Sequence, residues 1–143
     1  MDEFMRLAID EAKEGRAEGG IPIGSVLVRG GKVIAKGRNK RVQEQNPILH
    51  GEMDCLNNAG RVGNYLGTTI YSTLMPCYMC AGTIVQFNIP KVIVGESVTF
   101  SGARELMEQH GVEVIDLNNQ ECIDMMTNFI EEHPALWNED IGE

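Results

Sequence analysis

Apolar positions along the chain change period several times, and each change marks an element. Met5, Ala8, Ile9 and Ala12 recur at helical spacing with Asp10, Glu11, Lys13 and Glu14 between them, which predicts a helix over residues 2–17. Gly15, Gly19 and Gly20 end it. Residues 21–29 read as a strand centred on Val26, Leu27 and Val28. Gly30-Gly31 signals a two-residue hairpin, and residues 32–37, with Val33, Ile34 and Ala35, form the returning strand. Residues 39–49 lack periodicity and read as a loop. A helix over 52–59 closes at Gly60, and a β-branched strand covers 68–73. Pro76 is suited to the first position of a helix because its missing N–H is not needed there. That helix runs to Phe87 and stops before Pro90. Residues 91–95 read as a buried strand, 104–110 as a helix stopped by Gly111, and 112–117 as a strand. Asn118 or Asn119 caps a final helix that reaches Glu132 and ends before Pro134. The order α, β, β, α, β, α, β, α, β, α implies an α/β domain. Its mixed five-stranded sheet should be covered on both faces, with the later strands parallel.

At 143 residues the chain is expected to be one domain with a core that needs no disulfides. Hydrophobic residues make up 43%, and no apolar run approaches membrane-spanning length. The acidic start, Met1-Asp2-Glu3-Phe4, lacks the basic-then-apolar order of a signal peptide, so a cytoplasmic protein is expected, without a membrane partner. Four cysteines in that compartment favour ligands or free thiols over disulfides. The net charge is −9 and the pI near 4.8, which disfavours nucleic acid as a partner, since phosphates are bound mainly by Lys and Arg. Lys36, Arg38, Lys40 and Arg41 form the one basic cluster, read as a solvated strand end and loop.

Two short stretches carry chemistry: His50-Gly51-Glu52 and Pro76-Cys77-Tyr78-Met79-Cys80. One imidazole and two thiolates suit zinc, and a catalytic zinc site keeps its fourth position for water. Both stretches fall at expected helix starts, where free N–H groups and partial positive charge favour thiolate. Cys77 and Cys80 are three apart and share a helix face. Positions i and i+2 of a helix do not, so Glu52 is expected not to join His50 on the same ion. A lone Cys-x-x-Cys is equally at home in a redox pair or in half of a structural zinc site. The joint H-x-E…P-C-x-x-C pattern is the signature of zinc nucleobase deaminases. A structural zinc needs a fourth protein ligand. Cys55, the nearest candidate, lies around the helix from His50, and Cys122 sits among Ile123, Met126 and Phe129 and reads as core. Asp54 either supports the site or is solvated; His110 and His133 read as surface residues. A catalytic zinc, one per chain on His50, Cys77 and Cys80, brings a water's pKa from 15.7 to about 7 and makes it the nucleophile. Glu52 then moves two protons, one to a ring nitrogen and a second to the departing amine.

Four stretches carry a closer resemblance: Gly19-Gly20-Ile21-Pro22-Ile23-Gly24, His50-Gly51-Glu52, Ser72-Thr73-Leu74-Met75-Pro76-Cys77-Tyr78-Met79-Cys80 and Trp137-Asn138-Glu139-Asp140-Ile141-Gly142-Glu143. Together they resemble the fungal-type cytosine deaminases over nearly the whole chain. The C-terminal stretch discriminates most, because the zinc motif is shared across the superfamily. The resemblance implies a three-layer α/β/α cytidine-deaminase-like fold, a homodimer, and free cytosine as the small-molecule substrate, deaminated to uracil and ammonia in pyrimidine salvage. It also implies a pocket in which Asn39 and the Gly51 N–H hold the base edge, Phe100 stacks on it and Asp140 accepts from the amino group. Trp137 and Ile141 close that pocket, and Ile23, Leu74 and Met75 line it. Residues 134–143, beyond the last expected helix, become a lid. Met75, Thr99 and Asn138 depart from the family pattern around the amino and C5 side of the base. A modified cytosine, isocytosine or guanine therefore stays open as substrate. A tRNA adenosine deaminase and a non-catalytic zinc interaction protein are the other readings.

Overall fold

The computed structural model describes residues 2–143, in the order α1 (Glu3–Ala17), β1 (Gly24–Arg29), β2 (Lys32–Arg38), α2 (Gly51–Ala59), β3 (Thr68–Ser72), α3 (Tyr78–Gln86), β4 (Lys91–Val94), α4 (Arg104–Gln109), β5 (Glu113–Asp116), α5 (Gln120–Glu132) and α6 (Pro134–Asp140). The strands lie in the order β2-β1-β3-β4-β5. β1 is antiparallel to both β2 and β3, whereas β3, β4 and β5 are parallel. This is the mixed sheet expected of a hairpin followed by strands that are each reached through a helix.

Strand alternation divides the core. Leu27, Ile70, Val92, Val94 and Val114 face one side and pack with Cys55 and Leu56 of α2, Ala81 and Ile84 of α3, and Met107 of α4. Val26, Val28, Tyr71, Ile93 and Ile115 face the other, against Met5, Ala8 and Ile9 of α1 and Cys122 of α5. Helices on both faces of one sheet make the three-layer α/β/α sandwich. Each fully buried aliphatic or aromatic side chain contributes about 1.5–3 kcal/mol. A third cluster, Ile21, Ile23, Leu74, Met126, Phe129 and Trp137, lies beyond the carboxyl end of β3. Crevices outside the carboxyl ends of strands are where open α/β sheets place ligands.

Most element ends fall within one residue of the sequence expectation, and three larger differences have a local cause. β1 starts at Gly24 rather than residue 21. Pro22 has no N–H for a ladder, the Ile23 N–H turns back to the Ile21 carbonyl, and both isoleucines enter the third cluster. α3 starts at Tyr78, with Cys77 as N-cap, so Pro76 stands before the helix and not at its first position. Residues 134–140 form a helix instead of an irregular tail. Pro134 both terminates α5 and takes the first turn of α6, where a proline's fixed φ is favourable. Between the two asparagine caps offered for α5, the structure uses Asn119, whose side chain accepts from the Cys122 N–H at 3.0 Å.

Candidate active site

His50 and Cys77 occupy equivalent positions. Each is the N-cap of its helix with extended backbone, φ −67° and ψ 167° at His50, φ −73° and ψ 178° at Cys77. An N-cap side chain normally folds over the first turn to meet the free N–H groups there. Here that direction brings the two caps toward one another, and His50 Nδ1 lies 3.4 Å from Cys77 Sγ. Cys80, in the first turn of α3, completes a group whose ligand atoms all lie within 4.8 Å of one another. Zinc–nitrogen and zinc–sulfur bonds of about 2.0–2.1 and 2.3 Å at tetrahedral angles put N and S about 3.6 Å apart, so the trio fits that ion. Among the described residues this is the one such grouping, and Cys55 is not in it: buried under β2, it points its thiol to the Ala35 carbonyl at 3.5 Å.

Two glycines let α2 come close. A Cβ at Gly37 of β2 would lie 2.2 Å from the Cys55 nitrogen, and one at Gly51 would lie 3.2 Å from Ile23 Cγ2. α2 is also tied to the end of β2 by Asp54, whose carboxylate accepts from the Arg38 N–H at 3.0 Å and pairs with Lys40 at 3.5 Å. Asp54 is therefore buried and neither solvated nor a partner of the His50 ring. The basic cluster is likewise not a solvated face. Arg38 binds Glu11, Glu14 and Glu18, and Arg41 pairs with Glu139 of α6 at 3.6 Å, while Lys36 is exposed. His110 is exposed and His133 half-buried.

Glu52 stands outside the trio but next to it, 4% exposed. Burial, reinforced by the Cys77 charge, pushes its pKa up to about 7, which suits a carboxyl that takes and returns protons near neutrality. The two thiols diverge. Hydrogen bonds from Cys80 and His50 outweigh burial and bring Cys77 down to about 4. Cys80, hydrogen-bonded to Cys77 and deeper, is pushed well above the ordinary thiol value. Burial opposes protonation of His50, yet hydrogen bonding to Cys77 and the charges of Asp140, Cys77 and Glu52 raise it to about 9.

A cavity of about 20 Å³ lies over these groups, lined by Ile23, His50, Glu52, Leu74, Met75, Cys77, Phe100, Trp137, Asp140 and Ile141. Nearly every residue expected at the pocket is thus brought together. Trp137 meets Phe100 edge-on, with ring centroids 5.6 Å apart at 88°. Asp140 is buried and its pKa is raised by that burial. One carboxylate oxygen accepts from Asn39 Nδ2 at 3.2 Å and lies 3.3 Å from His50 Nε2. Asn39 stands behind the lining, fully buried, with its carbonyl oxygen taken by the Arg41 N–H at 3.0 Å. An Asn amide keeps one donor and one acceptor capacity after those two bonds. Gly51 is the first residue of α2, so its N–H has no intrahelical acceptor. Of the three departures from the family pattern, Met75 alone lines the cavity. Asn138 is exposed, and Thr99 turns its hydroxyl to Glu96. The sequence reading did not foresee the contact of Asp140 with His50. No local spacing links positions 50 and 140.

Residues 1–96 match the family described as the cytidine and deoxycytidylate deaminase zinc-binding region. The chain is 49% identical to the cytosine deaminase of Candida albicans over 97% of its own length and 95% of the relative's. It is 36% identical to the tRNA-specific adenosine deaminase of Bacillus subtilis over 90% of its length and 88% of that protein's. Among solved structures, a tRNA:A34 deaminase studied for A-to-I editing superposes with a TM-score of 0.69 and 27% identity, covering 80% of this chain and 96% of that one.

Proposed function

The chain belongs to the cytidine and deoxycytidylate deaminase zinc-binding family, whose members are hydrolytic deaminases, and on that premise we propose that it converts free cytosine to uracil and ammonia. One observation carries this reading: a carboxyl tuned by burial, His50 and Cys77 of the His–Cys–Cys trio and a second carboxylate line one small cavity with two aromatic rings. His50, Cys77 and Cys80 hold zinc, which when bound supplies the Lewis acidity that readies a water for attack near neutral pH. Glu52 takes that water's proton and delivers it to the ring nitrogen next to the amino-bearing carbon. After water has added to this carbon, Glu52 takes the remaining proton of the new hydroxyl and hands it to the amine; the carbonyl forms as the C–N bond breaks, and ammonia departs. Asn39 and the Gly51 N–H hold the base edge. Asp140, an acceptor while ionised, takes a hydrogen bond from the amino group and so aims it at Glu52. Phe100 covers the ring, with Ile23, Leu74, Met75, Trp137 and Ile141 around its rim.

The cavity holds about one water in this closed form, so the roof must open for a base to enter. α6 and the last residues, 134–143, serve as that lid within a single domain spanning 1–143. An open groove of about 500 Å³, bordered by Arg41, Pro47, Phe100, Glu139 and Gly142, leads to His50 and Cys77 and is the route in. The enclosed site and the net charge of −9 support a small nucleobase as the substrate and speak against a polynucleotide. A homodimer is supported by a groove of about 760 Å³ between α2 and α3, where Met53, Val62, Tyr65 and Phe87 leave apolar surface uncovered. Four free thiols support a cytoplasmic location, and conversion of cytosine to uracil fits a role in pyrimidine salvage.

Ammonia release from the zinc-loaded protein over cytosine, isocytosine, guanine, cytidine and a tRNA substrate tests the proposal. Cytosine is expected to be turned over fastest. Deamination of tRNA without action on any free base would overturn it.

A further inference from the structure

Glu96 is a charged side chain with no exposure, and the chemistry above does not use it. It lies two residues past β4, at the carboxyl edge of the sheet. Among the described residues, donors rather than a cation hold its carboxylate. Oε2 accepts from the Val98 N–H at 2.7 Å and the Thr99 N–H at 2.9 Å, and Oε1 accepts from the Thr99 hydroxyl. Bonds to i+2 and i+3 wind residues 96–99 into a turn that sends the next residue, Phe100, back over the cavity. The same segment is stapled to the approach to Cys77. The Met75 N–H donates to the Glu96 carbonyl at 3.0 Å, and the Ala103 N–H to the Pro76 carbonyl at 2.9 Å. Burying a carboxylate is unfavourable unless its oxygens are satisfied, and a neutral side chain would cost less to bury here. What the charge adds is geometry: one group fixes where Phe100 sits relative to the metal-binding residues.

We propose that Glu96 is a positioning residue for base recognition, acting through Phe100. The kinetic part rests on the deaminase reading; the structural part does not. Phe100 covers the ring equally in the ground state and the transition state, so disturbing it should raise KM and leave kcat nearly unchanged. Trp137, the chain's single tryptophan, meets Phe100 edge-on and reports its position without substrate.

The test uses zinc-loaded wild type, Glu96→Gln, Phe100→Ala, the double variant and Thr99→Val. A glutamine presents NH₂ where the carboxylate accepted, so KM for cytosine should rise about tenfold, the scale of one charge-assisted hydrogen bond. kcat and zinc content should hold, and acrylamide should quench Trp137 more readily. In the Phe100→Ala background the Glu96 substitution should add nothing further. Thr99→Val, which removes one donor and leaves both backbone bonds, should change KM and quenching in the same direction by less, and it stands in if Glu96→Gln does not fold. Unchanged Trp137 quenching, full additivity with Phe100→Ala, or loss of zinc would each overturn the assignment. If wild type does not deaminate cytosine, the functional reading falls, while the quenching result still decides the role of Glu96.

Discussion

The floor and the roof of the cavity face each other across the space of about one water, yet they hang from different parts of the chain. His50, Glu52 and Cys77 line the floor, and the buried Cys80 completes the trio. They sit on the first turns of two helices that pack Cys55, Leu56, Ala81 and Ile84 into the largest core cluster. The roof is Phe100 on a loop and Trp137, Asp140 and Ile141 on or just after a seven-residue helix at the end of the chain. Its polar ties are few: Asp140 to Asn39 and His50, and Arg41 to Glu139. On the proposed reading the floor carries the proton transfers and holds one base edge through the Gly51 N–H, while the roof covers the ring and admits it. Proton transfer needs fixed geometry, whereas entry and release of a base need an opening.

The largest effect expected from breaking this division is in the floor. Glu52→Ala should lower kcat by about 10²–10⁴-fold, the usual contribution of a positioned proton carrier, with zinc retained on metal analysis. Loss of the metal in this variant would put Glu52 among the ligands and end its assignment as proton carrier. Asp140 sits on the seam. Asp140→Ala should reduce kcat/KM for cytosine by about 10–150-fold, from hydrogen bonds to a charged group worth about 1.5–3 kcal/mol. Because its oxygen also lies near His50 Nε2, zinc affinity in a chelator competition should fall by about 10–100-fold, as it does when a carboxylate behind a metal-bound histidine is removed. An unchanged affinity would make Asp140 a roof residue alone.

The smallest effect lies outside both regions. Hydrogen bonds from Arg38 and Gln43 hold the Glu18 carboxyl below its ordinary value of 4.5. A depressed folded pKa means that the unfolded chain binds more protons in this range. The stabilisation is therefore complete above the unfolded value and is lost as pH falls from about 4.5 through the lower, folded one. Melting temperatures of wild type and Glu18→Gln should differ at neutral pH and converge in acid, while activity per folded chain stays the same. A neutral-pH loss of turnover in Glu18→Gln would tie this exposed network to the site.

Much of the floor was legible in the sequence because it is local. Cys-x-x-C spacing, helix-start residues and a carboxylate two positions from the histidine all fall within short windows. The layer order followed from periodicity, since both faces of the sheet are apolar and the strands read as runs such as Val92-Ile93-Val94. The roof was legible only through resemblance. Pro134 signals the end of one helix as well as the start of the next, and the chain uses both meanings. The buried carboxylates were the least legible. Asp54, Glu96 and Asp140 are ordinary surface residues by composition, and it is folding that places N–H donors or an imidazole against them.

Titrating cytosine into zinc-loaded Glu52→Gln while following Trp137 emission tests the division of labour most directly. The account predicts saturable binding at an affinity near that of the wild type for a non-reacting analogue, with no ammonia released. Absence of binding would place recognition in the floor, and ammonia at the wild-type rate would remove Glu52 from the chemistry; either result contradicts the account.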